Sequence, residues 1–326
     1  MLVLTPQGLF CEAGNFYIDP KGRVENALVT HAHSDHARRG ASRYITAQSG
    51  LSLLRSRLGN VQAKGVKYGE PFQMGPVKVS LHPAGHILGS AQVRMEFGGE
   101  VWLASGDYKR EPDPSCEPFE VVKADVFVTE ATFGTKAYHW DRKKNLGDEI
   151  REWWRTNERD GINSLIFAYS LGKTQRILAE LAGEREIFLA PAATPLVECY
   201  RNEGVRLAPT RCLSTVRAPL RGELILAPQS LLQTPLAKRL GDFRSAFASG
   251  WMATGTEGYD HGFVMSDHAD WDDLVRTVLE TGAKRIYVQH RGKGALVRHL
   301  RSLGLEAFPE ADLAKPMTQH AQMRLF

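Results

Sequence analysis

His31-Ala32-His33-Ser34-Asp35-His36 places four metal-competent side chains within six residues, directly behind the apolar run Ala27-Leu28-Val29. Imidazole nitrogens and carboxylate oxygens are the ligands of zinc and its first-row neighbours. In an extended segment side chains alternate, so His31 and His33 fall on one side, and Asp35 and His36 follow where the chain must turn. The cluster can therefore feed two metals, one from each half. Its spacing differs from His-Glu-x-x-His, whose two ligands lie one helical turn apart. A chance surface patch of histidines would look the same, so a metal site requires further ligands from the rest of the chain.

Short apolar runs elsewhere end repeatedly in an acid or a histidine. Asn15-Phe16-Tyr17-Ile18 ends at Asp19, in the turn Asp19-Pro20-Lys21-Gly22. Val77, Val79 and Leu81 alternate with Lys78 and Ser80 as a strand does, and lead into His82-Pro83-Ala84-Gly85-His86. Gly85 and Gly89 flank His86 in a tight loop and allow close backbone approach to a bound group. Val101-Trp102-Leu103-Ala104 leads to Ser105-Gly106-Asp107, Asp125-Val126-Phe127-Val128 to Thr129-Glu130, and Arg285-Ile286-Tyr287-Val288 to Gln289-His290. A single strand-end acid is commonly a turn former or a helix cap. Several together predict a site, because α/β folds gather ligands beyond one edge of a sheet.

Between these ends the segments read as follows. Residues 37–44 are basic and helix-compatible, and 47–58 predicts a helix. From 137 to 262 a charged, aromatic helical stretch (140–159) precedes strands alternating with helices, at 164–169, 174–182, 186–189, 195–201, 223–227 and 245–251. Such alternation implies parallel βαβ units and hence a second α/β unit. Gly172-Lys173-Thr174 hints at a phosphate loop, but the glycine required five positions earlier is Phe167, so the nucleotide-binding motif fails. In 263–326, Ser266-Asp267-His268-Ala269-Asp270 opens a helix, the His290 strand follows, and a last helix covers 295–303.

The bulk composition fits this picture. The 326 residues, 43% of them apolar, suit one large or two intimate domains with a sizeable core. A run of about 18 apolar residues, the minimum for a membrane span, is absent, and no signal peptide is visible. Cys11, Cys116, Cys199 and Cys212 are scattered, as expected of reduced thiols in the cytoplasm rather than of a disulfide framework. A net charge of +4 is compatible with a polyanionic substrate without specifying one.

Taken together, the histidine cluster, Gly85-His86 and Ser105-Gly106-Asp107 resemble the signature of the metallo-β-lactamase fold, with Asp19 in the place of its first acidic motif. Glu130, Ser266-Asp267-His268 and His290 resemble the three extra motifs of the β-CASP nucleases. Phe167 to Gln175 and Ser249-Gly250-Trp251-Met252 resemble that group's inserted cassette. In its compact length the chain looks most like the bacterial DNA ligase-associated exonucleases, whereas a histidine at position 290 is the pattern of RNA-cleaving members.

The resemblance implies an αββα metallo-β-lactamase sandwich from residues 1–136 and 263–326, with a β-CASP α/β domain, 137–262, inserted between them. It implies two divalent transition metals, zinc first, with manganese or iron as alternatives. His31, His33 and His86 would hold one metal, Asp35, His36 and His290 the other, and Asp107 would bridge them. Asp19 would orient a ligand from behind. The implied reaction is phosphodiester hydrolysis by a hydroxide activated between the metals, with His268 as general acid and Glu130 accepting its other N–H. DNA is the expected substrate, cut from an end in DNA repair in association with a ligase and a helicase, and RNA processing is the alternative. Ser170 and Lys173 at a strand-to-helix turn, and Arg291 and Lys293 beyond His290, are candidates for holding phosphates. Trp251 and Trp271 are candidates for stacking on bases.

Overall fold

The computed structural model describes residues 1–142, 144–255, 258–290 and 292–314, and all that follows concerns these. The first sheet has the spatial order β1 (Leu2–Thr5), β2 (Gly8–Cys11), β3 (Phe16–Ile18), β4 (Val24–Leu28), β5 (Ala41–Ala47) and β6 (Ala63–Val66). Its first three strands pair antiparallel, and the remainder add in parallel. Helix α1 (Leu51–Leu58) lies between β5 and β6 in the chain and sends Leu54 and Leu58 onto Ala27, Val29 and Tyr44. A meander then opens the second sheet, with β7 (Phe72–Met74), β8 (Val77–Pro83), β9 (Ala91–Phe97) and β10 (Glu100–Ala104) antiparallel, and β11 (Val126–Thr129) parallel to β10.

A third sheet follows. After α2 (Leu146–Arg159) come β12 (Asn163–Phe167), α3 (Lys173–Glu180), β13 (Ile187–Leu189), α4 (Thr194–Asn202), β14 (Thr210–Cys212), β15 (Leu224–Ala227), β16 (Phe243–Ser249) and β17 (His261–Val264). The strands stand in the order β14-β13-β15-β12-β16-β17, all parallel, as strand-helix alternation requires. The central strand β12 is buried on both faces, with Ile166 in one apolar cluster and Leu165 and Phe167 in the other. The chain then returns through α5 (Trp271–Thr281), β18 (Arg285–Val288), α6 (Lys293–Ser302) and β19 (Glu306–Pro309), and β18 and β19 extend the second sheet beyond β11.

The first two sheets face each other across one core. Phe16, Ile18 and Leu28 share it with Val79, Leu81, Val93 and Val126. Each fully buried side chain of this kind is worth about 1.5–3 kcal/mol. On the opposite face of the second sheet, Phe127 and Ile286 meet Leu274 and Val278 of α5 and Leu296 and Leu300 of α6. Among the described residues, no helix is long and apolar enough to cross a membrane.

Several local expectations change. The helix-compatible segment 37–44 gives way to β5 from Ala41 onward, because pairing with β4 and β6 and burial of Tyr44 outweigh local propensity, and the helix expected from 47 begins as α1 at Leu51. The helix expected over 140–159 begins only at Leu146, capped by Asn145, because Trp140 is engaged elsewhere: its backbone N–H donates to Asp270 at 2.9 Å. Residues 266–270 precede α5 instead of opening it, and Asp270 is its N-cap. The boundary expected after residue 262 falls inside β17.

The glycines around His86 do permit close approach, but to the chain's own backbone. A Cβ on Gly89 would lie 2.2 Å from the Gly50 backbone, and one on Gly85 would lie 2.3 Å from the Lys109 carbonyl oxygen. Gly98, with φ +61°, has open space around it. Gly98→Ala is therefore expected to cost only the left-handed backbone penalty of about 1 kcal/mol. Gly89→Ala, which adds a backbone clash, should cost about 3 kcal/mol, read from the urea midpoints of the two variants.

Candidate metal centre

Strands β8, β10, β11 and β18 all run the same way, since β8 and β10 are each antiparallel to β9 and the others add in parallel. Their carboxyl ends therefore share one edge, and His86, Asp107, Glu130 and His290 stand just beyond them. The loop after β4 brings in His31 to His36, and the segment after β17 brings in His268. Ligand atoms of His31, His33 and His86 lie within 4.8 Å of one another, as do those of His31, His36 and Asp107, and those of His86, Asp107 and His268.

Hydrogen bonds define which nitrogen of each ring is free. A carbonyl oxygen only accepts, so His33 donates from Nε2 to Leu171 (3.2 Å) and His86 donates from Nδ1 to Asp267 (2.7 Å). The lone pairs of His33 Nδ1 and His86 Nε2 are then left facing each other at 3.0 Å. Buried close by, His31 Nε2 and Asp107 Oδ1 have no hydrogen-bond partner among the described residues. Burial, reinforced by neighbouring histidines, pushes the His31 and His86 pKa well below the ordinary imidazole value, and burial lowers that of His33. Three neutral imidazoles with converging lone pairs are a donor set that fits a zinc-like cation.

The second set assembles through Asp107. His36 donates from Nδ1 to Asp19 at 2.7 Å, leaving its Nε2 3.4 Å from Asp107 and 3.6 Å from Asp35. His290 Nε2 approaches the other Asp107 oxygen at 3.4 Å. Burial opposes charge on both partners, yet Asp107 and Asp19 raise the pKa of His36 while His36 and His268 depress that of Asp107. Asp19 is itself anchored, accepting from the Thr30 N–H at 2.8 Å and the Thr30 hydroxyl at 2.6 Å. This set is more open than the first, since the Asp35 side chain is 65% exposed. Among the described residues, three non-glycine positions have left-handed φ, and two of them are Asp19 (+47°) and His290 (+66°).

Glu130 is fully buried and accepts from the Tyr108 N–H at 2.7 Å and from His268 Nδ1 at 2.9 and 3.0 Å. The Nε2 of His268 remains available, and its ring centre is 4.8 Å from that of His86. Burial opposes protonation of His268, but Glu130 and then Asp107 outweigh it and raise its pKa to about 9.

The expected phosphate contacts fare differently. Lys173 is buried and its ammonium is committed to the Asp267 carboxylate, so it is not presented to a phosphate. Ser170 is half-buried in the turn before α3, and its carbonyl accepts from Gln175 at 3.0 Å. Lys293 is exposed at the start of α6, and Arg291 lies outside the described residues. Trp271 is buried against His299, while Trp251 is 38% exposed and packs on Phe133, which in turn meets His268. Sequence reasoning missed Asp267 and Leu171, whose backbone oxygens fix the two facing histidines. It also missed the buried group of Lys109, Asp113 and Arg176 behind them. A cavity of about 1160 Å³, lined by Arg110, Trp140, Arg142, Trp153 and Arg176 among others, has no member of the histidine cluster in its wall.

No protein-family model matches the chain. The chain is 30% identical over 314 residues to a "Probable DNA ligase" of Opitutus terrae, covering 92% of this chain and 30% of that protein. It is 32% identical over 117 residues to "Endoribonuclease YSH1" of Yarrowia lipolytica, covering 35% of this chain and 14% of that protein. With "RNase aCSPSF2" of Saccharolobus solfataricus it shares 29% identity over 194 residues, 49% of this chain and 39% of the relative. The chain therefore spans well under half the length of each of these relatives. Among solved structures it resembles a protein of unknown function from Enterococcus faecalis V583, with a TM-score of 0.55 at 12% identity over 82% of this chain and 76% of that one. That likeness is one of fold alone.

A His268 pKa of about 9 has a consequence for the metal-free protein. A histidine pKa raised on folding adds stability that is fully present below about pH 6.5 and is lost as pH climbs through the folded value. Glu130→Gln removes the largest raising interaction. Its His268 is expected to titrate lower by NMR, and the stability it loses relative to the parent should shrink between about pH 6.5 and 9.

Proposed function

We propose that the chain is a metal-dependent nuclease of the β-CASP group, with the first two sheets forming a metallo-β-lactamase αββα sandwich and the third sheet, through β17, the inserted domain. One observation carries the reading. His268, held by the buried Glu130, stands beside His31, His33, His86 and Asp107, so a proton donor and a metal-binding donor set share one edge. The relatives named as an endoribonuclease and an RNase support nuclease chemistry, and the one named as a probable DNA ligase supports DNA as substrate.

In this reading His31, His33 and His86 would hold one cation, Asp35, His36 and His290 the other, and Asp107 would lie between them. Divalent cations so held supply Lewis acidity towards a phosphoryl oxygen and a nucleophile at neutral pH. Asp19 fixes His36 by taking its Nδ1–H, which aims Nε2 at the site. Glu130 would hold His268 as the imidazolium through Nδ1–H, leaving Nε2–H as the proton to donate. As the phosphorus–oxygen bond to the leaving group breaks, that proton passes to the departing oxygen, and Glu130 stabilises His268 throughout. In this reading the reaction removes nucleotides from a DNA end, as expected of an exonuclease acting in DNA repair. RNA processing is a second reading, favoured by His290 and by the two relatives named for RNA cleavage.

Digestion of matched, end-labelled DNA and RNA oligonucleotides tests the substrate. Shortening of DNA from one end supports the first reading, and cleavage of RNA alone transfers the function to the second. Asp107→Ala is expected to abolish hydrolysis of either substrate while circular dichroism stays unchanged, and a fully active variant would overturn the two-metal assignment. His268→Ala should lower kcat by about 10²–10⁴-fold and erase the alkaline limb of the pH profile, where the imidazolium is lost. Treatment with EDTA should stop cleavage, and zinc or manganese should restore it.

A further inference from the structure

The tight turn from Tyr169 to Lys173 follows β12 of the third sheet, yet it reaches the metal centre twice. Its Leu171 carbonyl takes the Nε2–H of His33. Its Lys173 ammonium holds the Asp267 carboxylate, and the same Asp267 residue offers its backbone oxygen to the Nδ1–H of His86. One turn further along α3, the Arg176 guanidinium donates to the Ser266 carbonyl at 2.8 Å and so grips the same segment. Gln175, fully buried, stiffens the turn by accepting from the Gly172 N–H at 2.8 Å and donating to the Ser170 carbonyl at 3.0 Å. Gly172 has φ +89°, and a Cβ there would sit 2.7 Å from the Ile87 side chain and 3.4 Å from His33 Nε2.

We infer that the turn 169–173 and Lys173 are positioning elements of the metal centre, setting from the third sheet which nitrogens of His33 and His86 face the cation. The inference rests on the metal-centre reading above. If the Leu171 carbonyl moves away, His33 is free to place its proton on Nδ1, the nitrogen that must carry a lone pair. If the Asp267 segment shifts, His86 loses the same control. Groups that hold a ligand histidine in this way are typically worth about 10–100-fold in metal affinity. Lys173 therefore acts inward on the site, in place of the substrate contact expected from its loop position.

The test is calorimetric titration of Zn²⁺ into the full-length, chelator-stripped protein. Gly172→Ala, which forces the turn off His33, and Lys173→Met, which frees the Asp267 segment, are each expected to weaken Zn²⁺ binding by about 10–100-fold. In ¹⁵N-resolved imidazole spectra of the metal-free protein, His33 should be protonated at Nε2 in the parent and a mixture of tautomers in Gly172→Ala. Ile187→Ala, in the third sheet's apolar core, should lower Tm and leave Zn²⁺ affinity unchanged. The inference is overturned if both turn variants bind Zn²⁺ like the parent, or if Ile187→Ala weakens binding as much as they do. Absence of Zn²⁺ binding by the parent would overturn the metal-centre reading itself, and this inference with it.

Discussion

Two imidazole lone pairs, on Nδ1 of His33 and Nε2 of His86, are held face to face at 3.0 Å because each ring spends its only N–H on a backbone carbonyl. Two acceptors at that distance repel unless something positive stands between them, and burial removes water as a screen. The arrangement makes chemical sense as a cation's donor set, completed by the buried His31 Nε2, which has no hydrogen-bond partner among the described residues. The neighbourhood follows from it. Glycine is needed where the Gly85–Gly89 loop passes other backbone, Asp19 must brace His36, and the third sheet must press its turn onto the site.

The connection to the third sheet is built from charge. Lys109, Lys173, Arg176 and Asp267 are buried, together with the side chain of Asp113. Buried ion pairs gain little over apolar packing, but losing one partner typically costs about 3–5 kcal/mol. The cluster therefore penalises arrangements in which α3 releases the 266–267 segment. The charged cluster works alongside an apolar one, in which Leu171, Leu196 and Tyr200 of the third-sheet unit pack with Ala32, Leu53 and Ile87.

Much of this was legible in the sequence, for identifiable reasons. His31 to His36, Gly85-His86 and Asp107 each follow a short apolar run, and parallel strands gather such ends at one edge. The third sheet announced itself by strand-helix alternation. Residues 41–44, read as the end of a helix-compatible segment, belong to β5 because of pairing with β4 and β6, which local composition does not report. Lys173 was misread for a related reason. Next to Gly172 it suggests a phosphate loop, whereas its partner Asp267 is 94 positions away. The Leu171 and Asp267 backbone oxygens left no trace at all, because any residue type carries a carbonyl.

Asp19 and His290 adopt backbone conformations that glycine enters freely and other residues resist. One braces a histidine and the other approaches the shared aspartate, so in both cases the side chain occupies a position its own backbone disfavours. Glycine would relieve the backbone at both positions, but it would remove the carboxylate that braces His36 and the imidazole that approaches Asp107. Under the metal-centre reading, an ion that binds the folded state would offset that strain, and the metal-free chain would be the less stable form.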